Sequence, residues 1–437
     1  MIMRFAASPL RPRSSIRSID GAMPIWNPFN PSPSPPPPER PLTALSWTQV
    51  TASAARHKAI QMSERLAAHA QAARADPAGV RQQYDSARHA MLGGFSSQPQ
   101  TAVQACMAND KAGRRHQRLD LIARAQASGC EPEASRRLRG DMDEVEHMRV
   151  AKFVYLAHDP NAPADLKQPP PGFRVATDAE QLSMGLSRRQ LEPKGTEFRA
   201  IVCVKDPAVW GPDDRGPPYV LAFRGSTPHL EDWENNIMQG INERPGFIGP
   251  EGEINRPYHQ RAVEIGQALQ QKSPRPSVHL VGHSLGGGLA SAAQGGSGGA
   301  AGLAASIYNA AGLHAKTPAR YGATEPFDPK IRALRIRGEA VTQSQESGAT
   351  RWFIPSARGL PENLEPPLTF SQYLRGPGAL DEAAARRAGQ PWDAAEAYSS
   401  HLHGMEAIID AMESRKRQDE AALRRCLPPK SPWASTP

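Results

Sequence analysis

Residues 278–289 read Val-His-Leu-Val-Gly-His-Ser-Leu-Gly-Gly-Gly-Leu, an apolar run leading straight into Gly-x-Ser-x-Gly. No other segment constrains the chain as much. A serine hydroxyl is a poor nucleophile until a sharp turn presents it beside a base and a source of oxyanion donors. Gly282 and Gly286 flank Ser284 where a strand-to-helix turn leaves no room for a Cβ. Val278, Leu280 and Val281 read as a buried strand, and the small residues from Gly287 to Ala293 open a helix whose amino end faces Ser284. The bare pattern arises by chance in a chain with 36 Gly, so its weight comes from these neighbours. His283 is expected to point away from Ser284 and to pack in the core.

Around that turn the apolar period alternates. Residues 145–157 and 256–270 carry apolar side chains at helical spacing, and residues 401–412 read as a last amphipathic helix. Residues 198–204, 219–223, 304–308 and 331–336 are strand-like. Strands alternating with helices predict an α/β fold with a mainly parallel central sheet. Four segments follow from composition. Residues 1–41 are a Pro/Ser-rich disordered spacer for secretion or docking, and 42–139 an Ala/Arg/Gln-rich helical accessory region. Residues 140–415 form the α/β catalytic domain, and 416–437 a basic, Pro-containing tail expected to fray. The short Gly-Gly-Ser-Gly-Gly run at 295–299 is expected to interrupt the helix after Ser284, with close packing or a flexible turn there.

Charge narrows the partners. A net charge of +8 and a pI near 9.4 favour anionic surfaces. No zinc pattern and no aromatic-interleaved basic stripe is present, so a phospholipid surface is expected rather than nucleic acid, with no metal and no cofactor. The four cysteines form no Cys-x-x-Cys pair, Cys203 falls in an apolar strand, and nothing demands a disulfide framework. No apolar run has transmembrane length. Arg4, Arg11, Arg13 and Arg17 precede no apolar segment of signal-peptide length, so export is expected to bypass the Sec route.

A second segment bears on the same chemistry. Residues 219–227 read Tyr-Val-Leu-Ala-Phe-Arg-Gly-Ser-Thr, a strand ending in Arg-Gly-Ser. Such an end is placed to supply an oxyanion donor from the Ser226 N–H or Oγ, the other being the N–H of Leu285.

In order and spacing, Phe223-Arg-Gly-Ser226, Asp232-Trp233 with Asn235 and Asn236, Tyr258 and Ala262, and Gly-His-Ser-Leu-Gly-Gly resemble the class 3, fungal lipase-like family. The resemblance spans residues 145–412 and is narrower to a bacterial branch common among phospholipase-type, type VI secretion effectors. It implies an α/β-hydrolase fold, ester or phospholipid substrates, a hydroxyl residue at the oxyanion hole, and a Ser–acid–His triad in that chain order. Relatives carry Gly-Asp-x-Val where this chain has Gly338-Glu-Ala-Val341, which implies Glu339 as the acid. Asp328, which precedes the strand instead of following it, is the alternative. The family's base stands before a small residue and Met, which favours His403 in His401-Leu-His-Gly-Met405, with His401 as the alternative.

The expected activity is acyl-ester hydrolysis of membrane lipids by a secreted bacterial effector, delivered by a type VI or type III apparatus. A secretion chaperone and a cognate immunity protein are the partners this implies. An intracellular esterase, thioesterase or acyltransferase, and a non-catalytic partner-binding scaffold, are the alternatives. The apolar residues Ile237, Met238, Ile241, Phe247 and Ile248 mark 235–253 as a candidate lid.

Overall fold

Side chains of a strand point alternately to the two faces of its sheet, and the central strands here are apolar on both. A computed structural model describes residues 100–427, apart from 213, 228–255, 273, 275–276, 347–354, 388 and 390. All belong to one contact unit, Ala52–Pro437. The expected spacer at 1–41, most of the expected helical region, and the candidate lid lie outside the described residues.

Seven strands form one sheet in chain order. They are β1 (Phe173–Val175), β2 (Ala200–Lys205), β3 (Tyr219–Phe223), β4 (Val278–His283), β5 (Ala305–Tyr308), β6 (Ile331–Ile336) and β7 (Leu360–Leu364). The pairs β1–β2 and β2–β3 are antiparallel, and every pair from β3 to β7 is parallel. Val202, Leu221, Leu280 and Ile307 face helices α3 (Tyr258–Gln271) and α4 (Leu285–Gly296). Cys203, Ala222, Val281 and Leu334 face α2 (Pro132–His158) and α7 (Met405–Cys426) on the other side. Burial on both faces is why β2 to β5 read as nearly continuous apolar runs. Each fully buried Leu or Ile contributes about 1.5–3 kcal/mol relative to exposure.

Helix α4 ends at Gly296, inside the 295–299 run, and the chain turns at Gly298 with φ 107°, while the glycines there and on α3 allow close approach. A Cβ on Gly266 of α3 would lie 2.1 Å from the Ala293 carbonyl oxygen, so the two helices touch backbone to backbone. The helix runs through Gly295 to Gly296 with all 12 residues buried.

On the opposite face, buried carboxylates of α2 bind the sheet. Glu144 accepts from the Tyr308 hydroxyl at 2.6 Å and the Ser306 hydroxyl at 3.1 Å. Asp141, fully buried, accepts from Arg332 at 2.9 Å and from Arg415 of α7 at 2.7 Å. Charges taken out of water must be paired in this way.

The boundaries expected at 139/140 and 415/416 fall inside α2 and α7. Residues 416–426, expected to fray, continue α7, and Lys416, Asp419 and Leu423 are buried in it. Helix α1 (Gln100–Ala127) packs with these two, joining Leu121, Ile122, Leu138 and Leu423 in a separate apolar cluster. A disulfide joins Cys130 to Cys426 across 296 residues, with Cα atoms 6.1 Å apart. Nothing in the cysteine spacing demands this bond, because partners so remote leave no local pattern to read. Among the described residues no helix is long and apolar enough to cross a membrane.

Candidate active site

The turn at Ser284 is built by backbone pressed on backbone. Ser284 follows β4 directly and takes φ 56°, ψ −128°, a conformation costly for a residue with a Cβ. Its N–H donates to Tyr308 O (3.1 Å), and its carbonyl accepts from Gly287 N and Ala311 N, each at 2.9 Å. A Cβ on Gly282 would sit 2.0 Å from Gly286 O, and one on Gly286 would sit 2.3 Å from Phe223 O. Only glycines allow this turn. The helix α4 begins at Leu285, so its first N–H groups and the positive end of its dipole lie at Ser284.

Phe223 is the register partner of Gly282, so β3 and β4 end at the same edge of the sheet. Arg224 is held by an ion pair to Glu197 at 2.9 Å and a further bond to the Glu197 carbonyl. Gly286 packs against Phe223, Arg224 and Gly225, which sets the Arg-Gly-Ser strand end beside the turn. The Ser226 Oγ is buried and has no hydrogen-bond partner among the described residues.

Glu339 follows β6 and precedes helix α5 (Ala340–Glu346). Its carboxylate accepts from the Val341 N–H at 2.9 Å and from the Thr342 N–H, as an N-cap would. The same carboxylate lies 2.6 Å from His403 Nδ1, and His403 Nε2 lies 3.1 Å from Ser284 Oγ. Burial would raise the Glu339 carboxyl, but the His403 hydrogen bond and charge, with the Thr342 and Val341 bonds, outweigh it and hold it below the ordinary carboxylate range. Ser284, His403 and Glu339 therefore form one hydrogen-bonded line.

The alternatives lie elsewhere. Asp328 stands before β6, at the opposite end of that strand from Glu339, and binds Arg358 (3.0 Å) and the Gly359 N–H (2.9 Å). His401 sits with its ring 5.1 Å from that of Tyr373. His403 ends helix α6 (Ala394–His403), and Gly404 turns the chain into α7.

Three residues at this junction escape a reading of the sequence. His283, expected only to pack, places Nε2 2.7 Å from the His403 carbonyl oxygen and Nδ1 3.0 Å from the Tyr155 hydroxyl. Asn309, fully buried with φ 40°, donates to the carbonyls of Leu402 (3.0 Å) and His403 (3.1 Å) and accepts from Ile336 N (3.0 Å). An Asn directly after an apolar strand is the one local sign of this role. Tyr155 carries none, because it continues the helical pattern of 145–157. A cavity of about 440 Å³ lined by Phe153, His158, Gln181 and Leu191 touches none of the three residues in line.

Known proteins are similar to this chain in sequence. The chain is 27% identical over 246 residues to the extracellular phospholipase A1 of Serratia liquefaciens, covering 55% of this chain and 65% of that relative. Among solved structures it is similar to a triacylglycerol lipase from Penicillium expansum (16% identity, 52% of this chain and 80% of that one, TM-score 0.31). A Rhizomucor miehei lipase–propeptide complex aligns at 12% identity over 53% of this chain and 67% of that one, with TM-score 0.28. Residues 146–364, half of the 437-residue chain, match a phospholipase-like family model. With its strand–turn–helix at Ser284, mainly parallel sheet and flanking helices, the fold is that of an α/β-hydrolase, and the chain belongs to the Tle-like phospholipase domain family.

Proposed function

We propose that this protein is a serine ester hydrolase that cleaves acyl esters of membrane phospholipids through Ser284, His403 and Glu339. The observation that carries the reading is the line from Ser284 Oγ through His403 (3.1 Å) to Glu339 (2.6 Å). Glu339 holds the proton on Nδ1, leaving Nε2 free as a base. His403 Nε2 takes the Ser284 proton as Oγ adds to the ester carbonyl. The N–H of Leu285 and Ser226, by N–H or Oγ, receive the developing oxyanion, for which the Ser226 Oγ, without a hydrogen-bond partner among the described residues, is suited. The carbon–oxygen bond to the glycerol breaks as His403 returns the proton to the leaving alcohol. Water, deprotonated by His403, then attacks the acyl-enzyme, releasing the fatty acid and restoring Ser284.

Phospholipid as substrate is supported by the family, by the relative's printed activity and by the net charge of +8, which draws the protein to anionic bilayers. The relative's phospholipase A1 name makes the sn-1 ester the first bond to test. Because the chain spans about 65% of that relative's length, both are properties of this reading. Action outside the producing cell, as a delivered effector with a cognate immunity protein, belongs to the same proposal. The Cys130–Cys426 disulfide favours an oxidising compartment.

Fatty-acid release from phosphatidylglycerol/phosphatidylcholine liposomes with different chains at sn-1 and sn-2 tests it. Wild type is expected to release the sn-1 chain and Ser284→Ala none. Release by both proteins, or by neither, rejects the reading.

A further inference from the structure

We propose that His283 is a positioning residue, which, with Tyr155 and Asn309, holds the His403 main chain so that the imidazole of His403 stays in line with Ser284. The inference rests on the reading of Ser284, His403 and Glu339 as the reacting residues.

The geometric problem is one of distance along the chain. His403 lies 119 residues beyond Ser284, at a junction between two helices, and its ring meets Ser284 through a single 3.1 Å contact. Neither helix contributes a hydrogen bond across to β4 through its own regular ladder. The link comes from His283, the residue immediately before the nucleophile, whose Nε2 reaches the His403 carbonyl at 2.7 Å. Asn309, at the end of β5, donates to the same oxygen at 3.1 Å. The base is thus tied by its main chain to the strand that carries Ser284, and by its side chain to Ser284 itself.

The proton on His283 must be on Nε2 for this to work. A carbonyl oxygen only accepts, so Nε2 donates. Burial, then the neighbouring His403, push the His283 imidazole down to about 3, so the ring is neutral and Nδ1 has no proton. The Tyr155 hydroxyl, 3.0 Å away, supplies the donor that Nδ1 then needs. Without it Nδ1 is a buried acceptor with no donor, and the ring loses the contact that fixes its other side. Tyr155 from α2, His403 and Glu339 are the titratable groups acting on this ring. Tyr155 also closes the other side of the turn, since a Cβ on Gly225 would strike its hydroxyl at 2.0 Å.

A merely packed histidine predicts a different outcome from a positioning one. Displacing a reacting group by about 1 Å costs on the order of 100-fold in rate. With a soluble nitrophenyl ester, His283→Phe is therefore expected to lower kcat by about 10–100-fold, with KM changed less than about twofold. His283→Gln, whose amide nitrogen can reach the same carbonyl, is expected to recover most of that loss. Tyr155→Phe, which removes one oxygen and keeps the ring, is expected to lower kcat by about tenfold and serves if His283→Phe does not fold. The downfield proton resonance of His403 Nδ1–H is expected to shift or broaden in His283→Phe and to return in His283→Gln. Wild-type kcat in both His283→Phe and Tyr155→Phe overturns the proposal. So does equal impairment of the Phe and Gln variants, or an unmoved resonance. Failure of the hydrolase reading is visible separately: wild type would then neither cleave the ester nor react at Ser284 with a fluorophosphonate.

Discussion

Glu339 approaches His403 at 2.6 Å while the same carboxylate caps the helix that begins at Ala340. Its longer side chain lets one group serve two partners from different parts of the chain: the imidazole, and the N–H groups of Val341 and Thr342. These functions separate by mutation. Glu339→Gln is expected to lower kcat by about 10³–10⁴-fold, because an amide does not stabilise the imidazolium. The loss of cap and charge is expected to cost only about 0.5–2 kcal/mol in stability. Ester turnover and urea midpoints measured on one preparation check both; loss of activity only in proportion to loss of fold contradicts the assignment.

The depressed Glu339 carboxyl has a consequence for acid stability. A carboxyl whose native pKa lies below its ordinary 4.5 gives its full stabilisation above that pH and loses it as the pH falls through the native value. Between pH 7 and 3 the thermal midpoint of wild type is expected to fall more steeply than that of Glu339→Gln. Parallel curves would mean that the carboxylate is no better stabilised in the folded protein than in the unfolded chain.

Ser226→Ala tests whether a side chain or only a main-chain N–H serves the oxyanion. If the buried Oγ donates, turnover is expected to fall by about 10²–10³-fold, the cost of one such donor, with little change in KM. Undiminished turnover would exclude the Ser226 side chain as an oxyanion donor.

Two glycines are expected to respond in opposite directions to alanine. At Gly286 the new Cβ would lie 2.3 Å from Phe223 O, and backbone on both sides of the turn would have to move. Gly286→Ala is expected to give protein that is insoluble or destabilised by more than about 3 kcal/mol. At Gly113, exposed within α1, a Cβ meets nothing within 4 Å. Gly113→Ala is expected to stabilise by about 0.5–1 kcal/mol through helix propensity. Thermal melts of the two variants check the contrast.

Reduction of Cys130–Cys426 frees the end of α7 from the α1–α2 turn. The urea midpoint under reducing conditions is expected to fall by the equivalent of about 2–4 kcal/mol. Cys203, fully buried, with burial pushing its thiol up to about 12, is expected to resist alkylation until the sheet unfolds. Peptide mapping after alkylation, with and without reductant, reads both; Cys130 and Cys426 labelled without reductant would exclude the bond.

Residues 278–289 determined a great deal without any structure. Strand, glycines and serine are contiguous there, and a turn that excludes Cβ atoms is a local steric demand. The alternation of helical and strand-like periods likewise predicts the parallel sheet, because burial on two faces leaves its mark on each strand separately. Glu339 and His403 follow from the order of a family pattern, with Asp328 and His401 as open alternatives. Tertiary structure decided which of these stand in line with Ser284, since only the sheet puts Glu339 and Asp328 at opposite ends of β6. It also decided the His283–His403 bond, the Asn309 bridge, the two helices that cross the expected domain boundaries, and a disulfide between cysteines 296 residues apart. The physical reason is the same for each. Periodicity records which face of an element is buried, whereas a hydrogen bond or disulfide between remote segments depends on where the packed layers bring those segments, and that leaves no local pattern.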